Sequence, residues 1–171
     1  PLYHSAPQAA VNLTIRMGGT AIIMESFDAE RYLQLVERWG VTHSQLVPTM
    51  FSRMLKLPEE VRRRYDVSSL EIAIHAAAPC PVQVKDEMIK WWGPIIQEYY
   101  GATEGLGFTA CDSREWLAHR GTVGRVLLGE LHILDESLRE CPVGTAGTIW
   151  FKTATPFEYF NDPEKTKEAR S

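Results

Sequence analysis

Apolar positions along the first two thirds of the chain alternate between helical and strand periods. Ser5 to Met17 reads as a helix ended by Gly18-Gly19. Thr20 to Met24 is a short apolar run, expected to be a buried strand. Asp28 then caps a helix with Tyr32, Leu33, Val36 and Trp39 along one face, and Gly40 stops it. Thr42 to Val47 is the next strand, and Thr49 opens a helix whose apolar side is Met50, Phe51, Met54 and Leu55. Across Ser68 to His75, Leu70, Ile72 and Ile74 alternate with Glu71, Ala73 and His75, the two-residue period of a strand. Pro81 to Trp92 is a helix closed by Gly93-Pro94, and Ile95 to Tyr99 is another strand.

Strand and helix in that rhythm imply crossover connections. The expected fold is α/β, with a mostly parallel sheet flanked by helices. After Gly121 the pattern changes. Short apolar pieces, Leu131 to Leu134 and Thr148 to Phe151, are separated by Gly, Pro and Asp. They predict a small antiparallel, barrel-like β subdomain. The expected organisation is an α/β subdomain over 1–120 and a β subdomain with a charged C-terminal tail over 121–171. Both are read as parts of one domain, and the chain as a fragment of a larger protein.

Composition narrows the function without naming it. The chain is 44% hydrophobic and 23% charged, with a formal net charge of -4, as in ordinary globular proteins. Its densest basic run, Arg62-Arg63-Arg64, follows Glu59 and Glu60, which favours a solvated helix face over an arm for nucleic acid. Cys80, Cys111 and Cys141 are widely spaced and form no C-x-x-C pair, so neither a zinc site nor a disulfide framework is indicated. A reduced, cytoplasmic setting is expected, with no transmembrane segment.

Three segments fall beyond predicted strand ends, where open α/β sheets bind ligands. They are Pro48-Thr49, Ala76-Ala77-Ala78-Pro79 and Tyr99-Tyr100-Gly101-Ala102-Thr103-Glu104-Gly105. The last joins an aromatic ring, a hydroxyl and a carboxylate in one turn. Such a set can stack on a base, bond a phosphate oxygen and hold Mg²⁺. Taken singly, Tyr100 would be an ordinary core aromatic, Glu104 a solvated acid, and the alanine turn a tight strand-to-helix packing. Neither a Walker P-loop nor a G-x-G-x-x-G fingerprint is found, so a mononucleotide kinase or a nicotinamide dehydrogenase has no support.

The ordered Y-G-x-T-E-G of Tyr100 to Gly105 resembles a core motif of the AMP-forming adenylate enzymes, which include the acyl-CoA synthetases. So do the alanine turn ending in Pro79, Pro1-Leu2-Tyr3-His4-Ser5, Gly121-Thr122-Val123-Gly124-Arg125, and the stretch from Tyr159 to Glu164. Two positions depart from the family pattern: Thr148 replaces a usual Glu, and Glu158 stands where Gly is common. The wording is most similar to bacterial fatty-acid-type CoA ligases.

The resemblance implies ATP, AMP, Mg²⁺ and CoA as ligands, with a carboxylic acid as substrate. The implied nucleotide site is Ala77, Ala78, Pro79, Glu98, Tyr99, Tyr100, Gly101 and Thr103. Tyr100 would stack on adenine and Thr103 would hold an α-phosphate oxygen. Glu104 would bind the metal, and His4 would orient the carboxylate, making His4, Thr103 and Glu104 the implied catalytic set. Thr49, Met50, Met54, Ala76 and Gly105, with His4, would line the acyl pocket. A phosphate loop before Pro1 and a ribose-binding aspartate after Ser171 are also implied, so the fragment alone is expected to be inactive. An adenylation domain that loads a carrier protein and a non-catalytic AMP-binding remnant remain as alternatives; His4 weighs against the first.

Overall fold

The computed structural model describes residues 2–154 and 157–170. One sheet holds, in hydrogen-bonded order, β1 (His43–Leu46), β2 (Ile72–His75), β3 (Ile96–Gly101), β4 (Phe108–Cys111) and β5 (Arg125–Leu128), and another pairs β6 (Glu130–Leu134) with β7 (Thr148–Lys152). The chain divides into two compact units, residues 1–100 with 110–125, and residues 101–109 with 126–171.

The first unit opens with α1 (Ser5–Arg16), ended by Met17 and Gly18. Helix α2 (Ala29–Trp39) shows most plainly how the sequence sets its own limits. The Asp28 carboxylate accepts the Arg31 amide at 2.7 Å, and Gly40 closes the helix in the left-handed region at φ 56°. Between these ends, Tyr32, Leu33 and Val36 face the core, while Trp39 is largely exposed. Strand β1 (His43–Leu46) leads into α3 (Pro48–Leu55), which has proline in its first turn. The short α4 (Glu59–Arg62), β2 (Ile72–His75), α5 (Val82–Trp92) and β3 (Ile96–Gly101) follow. β1, β2 and β3 are neighbours and run parallel. Leu33, Val36, Phe51, Met54, Met88, Ile96 and Trp116 form the fully buried centre of the core. β4 (Phe108–Cys111) precedes α6 (Ser113–Ala118), capped by Asp112. The buried Ser113 hydroxyl donates to the Ile96 carbonyl at 2.7 Å and accepts the Ile96 amide at 3.0 Å. This side chain therefore holds the start of β3.

The second unit takes in most of β5 (Arg125–Leu128), all of β6 (Glu130–Leu134) and β7 (Thr148–Lys152), and α7 (Pro163–Glu168). β6 and β7 pair antiparallel from Glu130 opposite Lys152 to Leu134 opposite Thr148.

Two expectations are corrected. The barrel-like subdomain is not formed: β6 and β7 are a two-stranded sheet that no other strand joins among the described residues. A two-stranded ribbon leaves both edges open, and a barrel needs them closed. Thr20 to Met24 is not a strand either. Ile22 and Ile23 are substantially exposed there, so the apolar run has no sheet to join. Among the described residues, no helix is long and apolar enough to cross a membrane.

Candidate active site

In the first unit, Leu46 lies opposite His75 and His75 opposite Glu98, so β1 and β2 end at one level and β3 runs on past it to Gly101. Thr49 follows β1, Ala76 to Pro79 follow β2, and Tyr99 and Tyr100 close β3. Three predicted segments thus stand at adjoining strand tips. Ala76 is buried, while Ala77, Ala78 and Pro79 are exposed. Ala77 turns the chain at φ 74°, a left-handed conformation that disfavours a Cβ. Tyr99 is half-buried, and burial pushes its phenol above the ordinary range. Tyr100 presents 40% of its surface to solvent.

The remaining predicted residues of this unit are more scattered. Thr49 is exposed and Met50 is half-buried against the core. Met54 has no exposed surface and belongs to the core itself. His4 is the N-cap residue of α1 without a side-chain cap bond, and its ring centroid lies 4.6 Å from that of Tyr3. Pro1, the first residue of that motif, lies outside the described residues.

Glu98 has a role beyond its backbone. Its Oε2 accepts from the Lys85 ammonium at 2.5 Å, and both side chains are buried. The His75 Nε2 stands 3.5 Å from the same oxygen, yet neither ring nitrogen has a hydrogen-bond partner. Burial, then the Lys85 charge, pushes the His75 pKa down to about 3, so the imidazole is neutral. The Lys85 ammonium also sits 5.1 Å from the Trp116 ring centroid.

In the second unit, Gly101 to Gly107 link the end of β3 to β4. A Cβ on Gly101 would stand 2.9 Å from the Phe108 Cβ and 3.1 Å from the Gly107 carbonyl oxygen, so this strand end accepts only glycine without a shift. Gly105 donates to the Ala102 carbonyl at 3.1 Å, which closes a turn around Thr103 and Glu104. The Tyr159 hydroxyl donates to Glu104 Oε1 at 2.6 Å. Tyr159 is itself held, its amide donating to Thr166 Oγ1 at 2.9 Å and its ring lying 4.6 Å from the Lys165 ammonium. The phenol hydrogen bond, ahead of smaller contributions from a backbone amide and Lys165, keeps the Glu104 carboxyl below its usual range. Reciprocally, Glu104 raises the Tyr159 pKa.

No group of three or more His, Cys, Asp or Glu side chains converges as a metal site among the described residues. A magnesium ion held by one carboxylate, phosphate oxygens and water needs no such group, and the Glu104 anion fits that donor set. Two surface depressions are lined by Tyr159, Asp162, Thr166 and Arg170, and by Arg62, Glu87 and Trp91. Neither contains a predicted site residue.

Sequence reasoning missed Lys85 and the side-chain role of Glu98, and it noted Tyr159 only as the start of a family-like stretch, not as the partner of Glu104. A signal existed for the first two. Lys85 shares a helix face with Met88 and Ile89, and Glu98 shares a strand face with Ile96. A charge on each of two apolar faces invites pairing between them.

Parallel strands with helical crossovers and a small-residue turn beyond their carboxyl ends define an open α/β ligand-binding protein. The chain belongs to the AMP-binding enzyme family, which matches residues 1–159. It is 36% identical over 171 residues to the medium/long-chain-fatty-acid–CoA ligase FadD8 of Mycobacterium tuberculosis, covering 97% of this chain and 29% of that protein. It is 30% identical over 177 residues to 4-coumarate–CoA ligase 5 of Oryza sativa, covering 98% of this chain and 32% of that protein. The chain therefore spans about a third of the length of these relatives. Among solved structures it is similar to the amide bond synthetase McbA of Marinactinospora thermotolerans, with a TM-score of 0.84 at 28% identity over 100% of this chain and 35% of that one. ATP-bound MatB of Rhodopseudomonas palustris gives a TM-score of 0.74 at 28% identity, covering 98% of this chain and 33% of that one.

Proposed function

We propose that this chain is the central part of an ATP-dependent acyl-CoA synthetase that activates a fatty or other apolar carboxylic acid. The observation that carries this reading is the family membership, combined with the ordered run Tyr99 to Gly105 following the β3 strand.

In the proposed first step, an oxygen of the acid attacks the α-phosphorus of ATP. An acyl–phosphate anhydride bond forms, the bond to the β-phosphate breaks, and pyrophosphate leaves. In the second, the CoA thiolate attacks the acyl carbonyl, a thioester forms, and AMP leaves. Tyr100 stacks on adenine, beside the backbone of Glu98, Tyr99 and Gly101 and the turn Ala77, Ala78, Pro79. Thr103 donates to an α-phosphate oxygen, and His4 orients the acid. Glu104 would hold Mg²⁺, whose chemistry is to neutralise charge on the phosphates. Thr49, Met50, Ala76 and Gly105 line the acyl side, with Met54 supporting Met50 from the core. Positioning and charge stabilisation account for most of such catalysis. A cytoplasmic setting completes the reading.

The chain by itself is proposed to be inactive; pyrophosphate release above background by the isolated chain contradicts that. A second reading is favoured by the similarity to McbA, an amide bond synthetase. There an amine, rather than a thiol, accepts the acyl group. Offering the whole protein an activated acid with CoA, a simple amine or a phosphopantetheine carrier separates these acceptors by the product formed.

A further inference from the structure

The buried ionisable groups of the first unit lie behind the strand tips, on residues to which the proposed chemistry assigns no side-chain role. Lys85 comes from α5, Glu98 from β3 and His75 from β2. Glu98 Oε2 takes the Lys85 ammonium at 2.5 Å and stands 3.5 Å from His75 Nε2. The Phe51 ring covers the imidazole edge-on, with centroids 5.3 Å apart. Trp116 lies 5.1 Å from the ammonium.

Burying an ion pair is a poor way to gain stability, since apolar residues of similar volume do as well or better. What the pair supplies is direction. His75 and Glu98 are opposed in register, and each immediately precedes a segment assigned to the nucleotide. His75 leads into Ala76 to Pro79, and Glu98 into Tyr99 and Tyr100. A charge-assisted bond fixes Glu98 from the helix that starts just after the alanine turn. Both ends of the turn are therefore tied to β3: β2 by the backbone register, and α5 by the Lys85–Glu98 bond.

We propose that Lys85 and Glu98 are positioning residues that hold the turn Ala76 to Pro79 and the tip of β3 at a fixed separation for the adenine nucleotide. The proposal rests on the nucleotide reading above, and its test separates the two. The variant is Lys85→Met with Glu98→Leu, which removes both charges at similar volume, made in the whole protein. Amide hydrogen exchange and AMP titration are measured alongside denaturant unfolding.

The unfolding midpoint is expected to stay near that of the parent. Exchange at residues 76–78 and 99–101 is expected to rise by about tenfold, with other amides unaffected. AMP affinity is expected to fall by roughly tenfold. Unaltered exchange at those amides overturns the positioning role. Raised exchange with unaltered AMP affinity keeps the mechanical role and overturns the nucleotide assignment. Should the double variant fail to fold, Glu98→Gln keeps the shape and an acceptor for Lys85 while removing the charge. It is expected to show the same local rise in smaller degree, and parent exchange in that variant overturns the proposal.

Discussion

The Tyr159 phenol donates a hydrogen bond to the Glu104 carboxylate at 2.6 Å, across 55 residues of sequence. The contact explains why Glu104 titrates below its ordinary range although it is partly exposed. A carboxyl depressed in the folded state favours folding above its unfolded pKa and loses that contribution as pH falls. Tyr159→Phe removes the largest cause. The Glu104 carboxyl is then predicted to titrate at higher pH, closer to an ordinary glutamate, as read by carboxyl NMR of labelled protein. An unchanged midpoint would show that the phenol does not set it.

His75 gives a second pH dependence, of the same sign but different origin. Its pKa falls from 6.5 when unfolded to about 3 in the fold, because charging a buried imidazole beside Lys85 is costly. The unfolded state therefore binds the extra proton throughout that window. Stability is predicted to decline as pH drops below the unfolded pKa, by at most about 1.4 kcal/mol per pH unit from this group. His75→Leu should flatten the corresponding part of the curve of unfolding free energy against pH. An identical slope in the variant would mean that the histidine is protonated within the fold.

Lys85→Met alone leaves the Glu98 carboxylate buried without a counter-charge. It is predicted to cost about 3–5 kcal/mol in denaturant unfolding. A loss below about 1 kcal/mol, the range of solvent-exposed pairs, would indicate that water reaches the pair.

Ala77 holds a positive φ of 74° with a Cβ attached. Relieving it by Ala77→Gly is predicted to stabilise the protein by about 1 kcal/mol, the lower end of the left-handed penalty for an L-residue. A rise in thermal midpoint checks this. A fall would mean that the added freedom of glycine in the unfolded chain outweighs the strain.

Local signals carried most of the first unit. Asp28 and Gly40 mark the two ends of α2, and the alternation through Ile72 to His75 yields β2. Where reading failed, the missing information was long-range. Thr20 to Met24 has the composition of a strand but no partner to pair with. Leu131 to Leu134 and Thr148 to Phe151 are strands as expected, but whether two strands close into a barrel depends on neighbours. β4 (Phe108-Thr109-Ala110-Cys111) and β5 (Arg125-Val126-Leu127-Leu128) each hold a single polar residue, so no sustained two-residue alternation marks them. The same holds for the candidate site. Tyr100, Thr103 and Glu104 are legible because they are consecutive in the chain. The hydrogen bond from Tyr159 and the ion pair of Lys85 join residues that only folding brings together.

Adenylation at Thr103 and Glu104 is tested most directly by exchange of labelled pyrophosphate into ATP, driven by a carboxylic acid, in the whole protein. Acid-dependent exchange is predicted for the parent. In Glu104→Gln and Thr103→Val it should fall by about 10²–10³, the loss typical of one transition-state contact. Exchange at the parental rate in both variants, or none in the parent with any acid, would contradict the account.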